Sequence, residues 1–226
     1  MGILSKHVGI KFGSPAVRVL NDISVEIKDG EFVSLSGRSG AGKSTLLYVL
    51  SSLDNPTEGS VEISGQDITK MNSIDLHRFR NEQMGFVFQF HYLIAELTSI
   101  QNVLMPAMKC KRDVELRPRA MELLEKFGLK EKHDRYPRQL SGGEQQRLAI
   151  ARALIMKPKY LFADEPTGAL DTVNAESVMK ILQECSTQDK MTVIMVTHDP
   201  DFAAMAPRKI VLADGKIISD NATNPS

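Results

Sequence analysis

No stretch of this chain approaches the roughly 18 uninterrupted apolar residues that a membrane-crossing helix needs. Any membrane role must therefore run through a partner, without direct insertion. Net charge is also missing. Lys plus Arg and Asp plus Glu stand at 28 each, so no overall field points to nucleic acid or to an anionic lipid surface. Cysteine is scarce: Cys110 and Cys185 lie far apart without a CxxC partner, and two reduced, buried thiols in a cytosolic protein are expected. The opening MGILSKHVGIKFG lacks the apolar core of a signal peptide. Met1-Gly2 resembles a myristoylation start, but Lys6 stands where Ser or Thr is required. Low-complexity tracts and heptad runs are absent too. What remains is a globular composition, 42% hydrophobic over 226 residues, enough for one domain with a small lobe and a real core.

Residues 8 to 30 predict short strands with turns at Gly13-Ser14-Pro15 and Asp29-Gly30. Val17, Val19, Leu20, Ile23, Val25 and Ile27 give them the rough alternation of a half-buried sheet. By pattern alone Phe12 is a core aromatic. Phe32 to Leu35 is an apolar strand that enters Gly37, Arg38, Ser39, Gly40, Ala41, Gly42, Lys43, Ser44 and Thr45. Leu46, Leu47, Val49, Leu50 and Leu53 follow as a helix face. Strand, glycine-rich loop and helix are the context that makes GxxxxGK[ST] a phosphate-binding loop and disfavours a chance match. The glycines let successive N–H groups point inward at phosphate oxygens. Lys43 can reach the β and γ phosphates, and the Ser44 hydroxyl is a Mg²⁺ ligand candidate.

Pro56, Gly59 and Gly65 frame a hairpin carrying Val61 and Ile63, and Ser73 to Gln83 predicts a polar helix. Gly85 to Phe88 is a buried strand, with Gln89 at its C-terminal end, where open α/β sheets bind ligands. From about Phe90 to Ile155 the pattern is helical, with a capping box at Thr98 and Gln101, breaks or kinks at Pro106 and Pro118, and a close at Gly128. Leu140 to Arg147 reads LSGGEQQR. Ser141 with Glu144 is a capping box opening a helix that Pro158 stops, and Gly142 and Gly143 allow close backbone approach. Such a helix start can hold a phosphate, although an ordinary N-cap fits it equally well. Tyr160 to Ala163 is a strand ending in Asp164-Glu165. Asp164 can join a Mg²⁺ shell and Glu165 can activate water, unless one carboxylate merely caps the turn at Pro166-Thr167-Gly168. Asp171 precedes another helix, Met191 to Val196 is a strand, and His198 follows it in register with Gln89 and Glu165. A strand pair around Asp214-Gly215 and a frayed NATNPS tail close the chain.

Taken in order, GRSGAGKST, Gln89, LSGGEQQR, LFADE, Ala169-Leu170-Asp171 and His198 resemble the nucleotide-binding subunits of ABC transporters along essentially the whole chain. The resemblance implies an α/β fold: a RecA-like P-loop NTPase core with an antiparallel β lobe (1–89 and 156–226) and an inserted helical lobe (about 90–155). It implies ATP hydrolysis with ATP and Mg²⁺ as cofactors, and adenine stacked on Phe12, where family members more often carry Tyr. Lys43 and the Gly40–Thr45 amides would neutralise phosphate charge. Ser44, Gln89 and, through water, Asp164 would hold Mg²⁺. Glu165 would be the general base and His198 would contact the γ-phosphate. Ser141, Gly142, Gly143 and Glu144 would face the ATP of a second copy, with Asp171 at that interface. A separate permease would dock near Gln89, the Phe88–Leu93 run and the helical lobe, and hold the protein on the cytoplasmic face of the membrane. The finer likeness, including Leu53-Asp54-x-Pro56-Thr57-x-Gly59, is to the macrolide-exporter and lipoprotein-release branch. Ala169 leans it to the macrolide side, because lipoprotein-release members usually carry Asn there. The alternative is an ABC ATPase that regulates a membrane protein mechanically. A nucleic-acid ABC protein is disfavoured by the balanced charge and the lack of coiled coil.

Overall fold

The computed structural model describes residues Gly2 to Ala222. Strands β1 (Gly2–Phe12) and β2 (Val17–Lys28) form a long antiparallel hairpin, so β1 starts well before residue 8. The early half escaped the periodicity because His7, at φ +50°, sits in a register shift between Ser5 and Val8. A bulge of this kind puts an extra residue into the alternation and flips its phase. Next come β3 (Phe32–Ser36) and α1 (Lys43–Leu50). Leu53 does not join the face of α1, because Ser52 at φ +56° has already turned the chain and Leu53 is exposed.

β4 (Glu58–Ile63) and β5 (Gln66–Asp67) complete a four-stranded antiparallel sheet in the order β2-β1-β4-β5. Helix α2 (Ser73–Gln83) has the expected bounds, capped by the Asn72 side chain. After β6 (Met84–Phe88) come α3 (Ser99–Lys109), α4 (Asp113–Lys126) and α5 (Gly142–Leu154). Pro106 and Pro118 lie inside α3 and α4 and end neither. The break falls between the helices, where Lys111 takes φ +57°. An interior proline costs about 3 kcal/mol. Burial of Ile100, Val103, Leu104 and Ala107 along α3 offsets this, at about 1.5–3 kcal/mol for each large side chain.

β7 (Tyr160–Asp164), α6 (Thr172–Thr187), β8 (Thr192–Val196), α7 (Pro200–Ala204), β9 (Arg208–Ala213) and β10 (Lys216–Asp220) finish the described chain. The second sheet runs β10-β9-β3-β8-β7-β6, parallel except for the antiparallel β10–β9 pair. Its strands alternate between two cores. Phe32, Leu161, Ala163, Val193 and Met195 pack towards α3, α4, α5 and α6. Val33, Leu35, Phe162, Ile194 and Val196 pack towards α1 and the antiparallel sheet. Covered on both faces, these strands appear in sequence as near-continuous apolar runs. Of the two thiols only Cys185 is buried, and burial pushes its pKa up to about 12. Cys110 is half-exposed and accepts a hydrogen bond from Asn81 Nδ2 at 3.2 Å. The tail from residue 223 onwards lies outside the described residues.

Candidate functional site

Four loops meet beyond the C-terminal ends of β3, β6, β7 and β8, the edge where parallel sheets place their ligands. The loop after β3 is Gly37–Gly42. Gly37 takes φ +140°, and a Cβ there would stand 2.1 Å from the Leu212 carbonyl oxygen, so only glycine fits. Gly42, at φ +94°, starts α1 without a side-chain cap, which leaves the N–H groups of the first turn directed out of the helix. Lys43 is 8% exposed. Its Nζ donates to the carbonyls of Gly37 at 3.0 Å and Arg38 at 3.1 Å. Among the described residues no carboxylate pairs with it. A desolvated ammonium held only by carbonyl dipoles beside open amides is built to receive an anion.

Ser44 Oγ donates to Asp164 Oδ1 at 2.9 Å, so the two predicted metal-site residues do meet, where the start of α1 faces the end of β7. The opposite oxygen, Oδ2, accepts the Tyr48 hydroxyl at 2.6 Å. Tyr48 was not anticipated, although it stands four residues after Ser44 and hence on the same helix face. Burial, then the Asp164 carboxylate, push its phenol pKa well up, so it stays a donor. Gln89 is not part of this cluster. Its amide lies against the turn after β7, where a Cβ on Gly168 would come within 2.9 Å of Nε2. No hydrogen bond among the described residues joins Gln89 to Ser44 or Asp164.

Glu165 follows β7 with φ +48°, an uncommon conformation for a residue with a side chain. Its N–H donates to the Val196 carbonyl at 3.0 Å. Its Oε2 lies 2.8 Å from His198 Nδ1, and the side chains of Glu165 and His198 are 19% and 71% exposed. The β7 and β8 termini thus bring the predicted base and the predicted histidine into contact. Phe12 is 44% exposed, so it is no core aromatic. It pairs with Val17 in the β1–β2 hairpin, whose Leu20 side chain and Val19 carbonyl abut Gly42.

The capping box at α5 is present as expected: Ser141 Oγ accepts from the Glu144 N–H, and Glu144 Oε2 accepts from the Ser141 N–H at 2.9 Å. Lys132 pairs with the same carboxylate and, as the leading cause, holds its pKa below the ordinary glutamate value. Ser141 is exposed and nothing lies within 4 Å of a Cβ placed on Gly142. Gly143 is the opposite case. A Cβ there would stand 2.0 Å from Asn174 Oδ1, so any larger residue would displace the Asn174 side chain. Asn174 in turn accepts from Arg147 at 3.0 Å and donates to Asp171 Oδ2 at 2.7 Å. Asp171 caps α6, and its bonds to the Asn174 backbone and side chain lower its pKa. Gln146 links α5 back to the site by donating to the carbonyls of Pro166 at 2.6 Å and Phe88 at 3.3 Å. Neither Asn174 nor Gln146 was anticipated. The signal for Gln146 lay in its motif, while Asn174 carried none beyond its place after an N-cap.

The donors near Asp164 are oxygens only, and no group of three or more His, Cys, Asp or Glu that could hold a metal ion exists among the described residues. That set fits Mg²⁺, which takes one or two carboxylates and completes its shell with water and substrate phosphates.

Comparison with known proteins gives the family. The family model for "ABC transporter" matches residues 20–168. The chain is 52% identical over 201 residues to the lipoprotein-releasing system ATP-binding protein LolD of Leptospira interrogans, covering 89% of this chain and 85% of that one. It is 43% identical over 210 residues to the macrolide export ATP-binding/permease protein MacB of Chlorobaculum tepidum, of which it spans 32%. The dimeric structure of the ATP-binding cassette MJ0796 in a post-hydrolysis state, bound to ADP and Pi, superposes with a TM-score of 0.89 at 39% identity, covering 96% of this chain and 97% of that one. Identity is higher to this lipoprotein-releasing relative than to this macrolide exporter, so Ala169 alone does not sort the two.

Proposed function

The chain belongs to the ABC transporter ATPase family, and from that premise we propose that two copies close head to tail around two ATP molecules and drive a separate membrane permease. One observation carries the dimer: among the described residues the exposed helix start at Ser141–Gly142 makes no hydrogen bond with the chain's own phosphate loop. A second anion-ready terminus calls for a second ligand, and a neighbour's ATP supplies it. The similarity to dimeric cassettes supports this reading.

In that arrangement Lys43 and the first-turn amides of α1 hold the phosphates, and Phe12 offers a ring to adenine. Ser44, Asp164 and, after movement of its loop, Gln89 would hold Mg²⁺, whose positive charge would offset the negative charge of the phosphates. Glu165 takes the proton of the attacking water, and His198 both orients Glu165 and reaches the γ-phosphate. Asp171 lies at the interface and is tied to α5, the helix that opens with LSGGEQQR, through Asn174. Residues of about 90–155 act as a lobe that transmits the nucleotide state. Arg152 on α5 holds the backbone carbonyls of His91 and Tyr92, so the segment after Gln89 moves with α5. Phe90 and Tyr92 are exposed on that segment. Beside it runs a groove lined by Leu53, Arg80, Phe88, Met105, Arg152 and Met156. Exposed aromatics around an apolar groove suit a cytoplasmic segment of the permease. No helix among the described residues is long and apolar enough to cross a membrane. The permease would therefore hold the protein at the cytoplasmic face, and the similarity to LolD favours export of a lipoprotein-type substrate.

Two measurements test this. The protein purified from detergent-solubilised membranes should bring down an integral membrane protein, and ATPase turnover should rise when the two are recombined. Recovery of a cell-wall enzyme complex instead would favour mechanical regulation over transport. Ser141→Ala should destabilise the α5 start by about 1 kcal/mol. It should lower turnover while ATP affinity at low protein concentration, measured by titration, stays at the wild-type value. An unchanged hydrolysis rate would remove the shared site.

A further inference from the structure

We propose that Tyr48 is a positioning residue for the metal, fixing the Asp164 carboxylate so that it can serve the Mg²⁺ shell. The inference rests on the nucleotide site proposed above. Asp164 sits at the last residue of β7, where the sheet ends and its side chain could rotate freely. Instead each oxygen has its own donor, both from α1. Ser44 Oγ holds Oδ1 at 2.9 Å, and Tyr48 holds Oδ2 at 2.6 Å. The two hydroxyls come from one helix face, one turn apart, so the carboxylate plane is set by a rigid element and not by a loop.

The two donors have different fates when a cation arrives. Ser44 would turn its lone pairs to the metal, and its bond to Asp164 must share or yield. Tyr48 carries no such competing duty, because it holds the far oxygen. It therefore keeps the carboxylate oriented while the near oxygen accepts from the ion's water. Its bond to an ionised group is of the stronger, charge-assisted kind. A residue that orients a metal-site carboxylate typically changes metal affinity by roughly 10- to 100-fold when removed. Tyr48 is half-buried and its ring packs beside the core of α1, so Phe can occupy the same space and delete only the hydroxyl.

The test titrates Mg²⁺ into full-length protein with a fluorescent ATP analogue, with a parallel arm in EDTA. In EDTA, Tyr48→Phe should bind the analogue as wild type does, because the phosphate loop is intact. With Mg²⁺, its half-saturating concentration should rise by roughly tenfold. At saturating Mg²⁺, turnover should return to near the wild-type rate. In an Asp164→Asn background the same substitution should add less than about a twofold effect, because the two act as one unit. An unchanged Mg²⁺ midpoint would overturn the inference. So would a full shift that persists in the Asp164→Asn background, or a loss of analogue binding in EDTA. Wild-type binding that ignores Mg²⁺ altogether would instead overturn the site assignment beneath it.

Discussion

Glu165→Gln should bind ATP normally, lose roughly 100- to 10,000-fold in turnover, and accumulate as a dimer when ATP is added. The loss follows from what the carboxylate does in the structure. Its N–H is fixed to the Val196 carbonyl at 3.0 Å and its Oε2 to His198 at 2.8 Å, so the group is oriented at the joint of β7 and β8. Gln has the same shape and can keep the contact to the His198 ring, so the fold and the φ +48° backbone are retained. What it lacks is the ability to accept a proton. The phosphate cradle belongs to the loop after β3 and is untouched, hence binding persists. If ATP joins two chains and only hydrolysis separates them, the variant cannot leave the closed state. Size-exclusion chromatography with and without ATP, beside a phosphate-release assay, reads both effects. Brisk hydrolysis by Glu165→Gln would move the base role elsewhere, with His198 the first candidate by distance.

The parts of the site that could be seen in sequence are those where chemistry dictates residue type at fixed spacing. The phosphate loop is one: φ +140° at Gly37 and a Cβ clash at 2.1 Å leave no alternative to glycine, so the pattern is legible without any structure. The capping boxes at Thr98 and Ser141 are another, because each is closed within four residues. The doubly covered strands β6, β7 and β8 announced themselves as apolar runs. What was hidden depends on contacts between distant residues. Tyr48 and Asp164 are 116 positions apart, and nothing local marks a tyrosine on an apolar helix as a hydrogen-bond donor to a strand end. Asn174 gains its meaning from Gly143 and Arg147 on another helix. Phe12 was misjudged by pattern because strand alternation cannot separate an edge aromatic at a hairpin tip from a buried one. That Pro106 and Pro118 end neither α3 nor α4 has a related reason: local propensity reports the lost hydrogen bond but not the packing that offsets it.

Lys43→Ala should weaken ATP binding by at least tenfold, and by about 100-fold at the upper end of a charged hydrogen bond's worth. The same substitution should leave the melting temperature of the nucleotide-free protein unchanged or slightly raised. Both signs come from one feature. Lys43 is 8% exposed, and among the described residues its ammonium is held only by the carbonyls of Gly37 and Arg38. Two neutral acceptors do not fully replace the water stripped from a cation, so the nucleotide-free protein carries an electrostatic cost at this position. A bound phosphate would remove that cost by giving the charge its partner, which would convert the strain into affinity. Alanine abolishes both the cost and the gain. A structural lysine would behave in the opposite way: its removal would lower the melting temperature and leave ATP affinity alone. Calorimetric titration with ATP, run beside thermal denaturation without nucleotide, separates the two cases. Unchanged ATP affinity would sink the phosphate-loop assignment. A fall in affinity with no fall in stability would place the function of Lys43 in ligand binding, where its burial without a carboxylate already puts it.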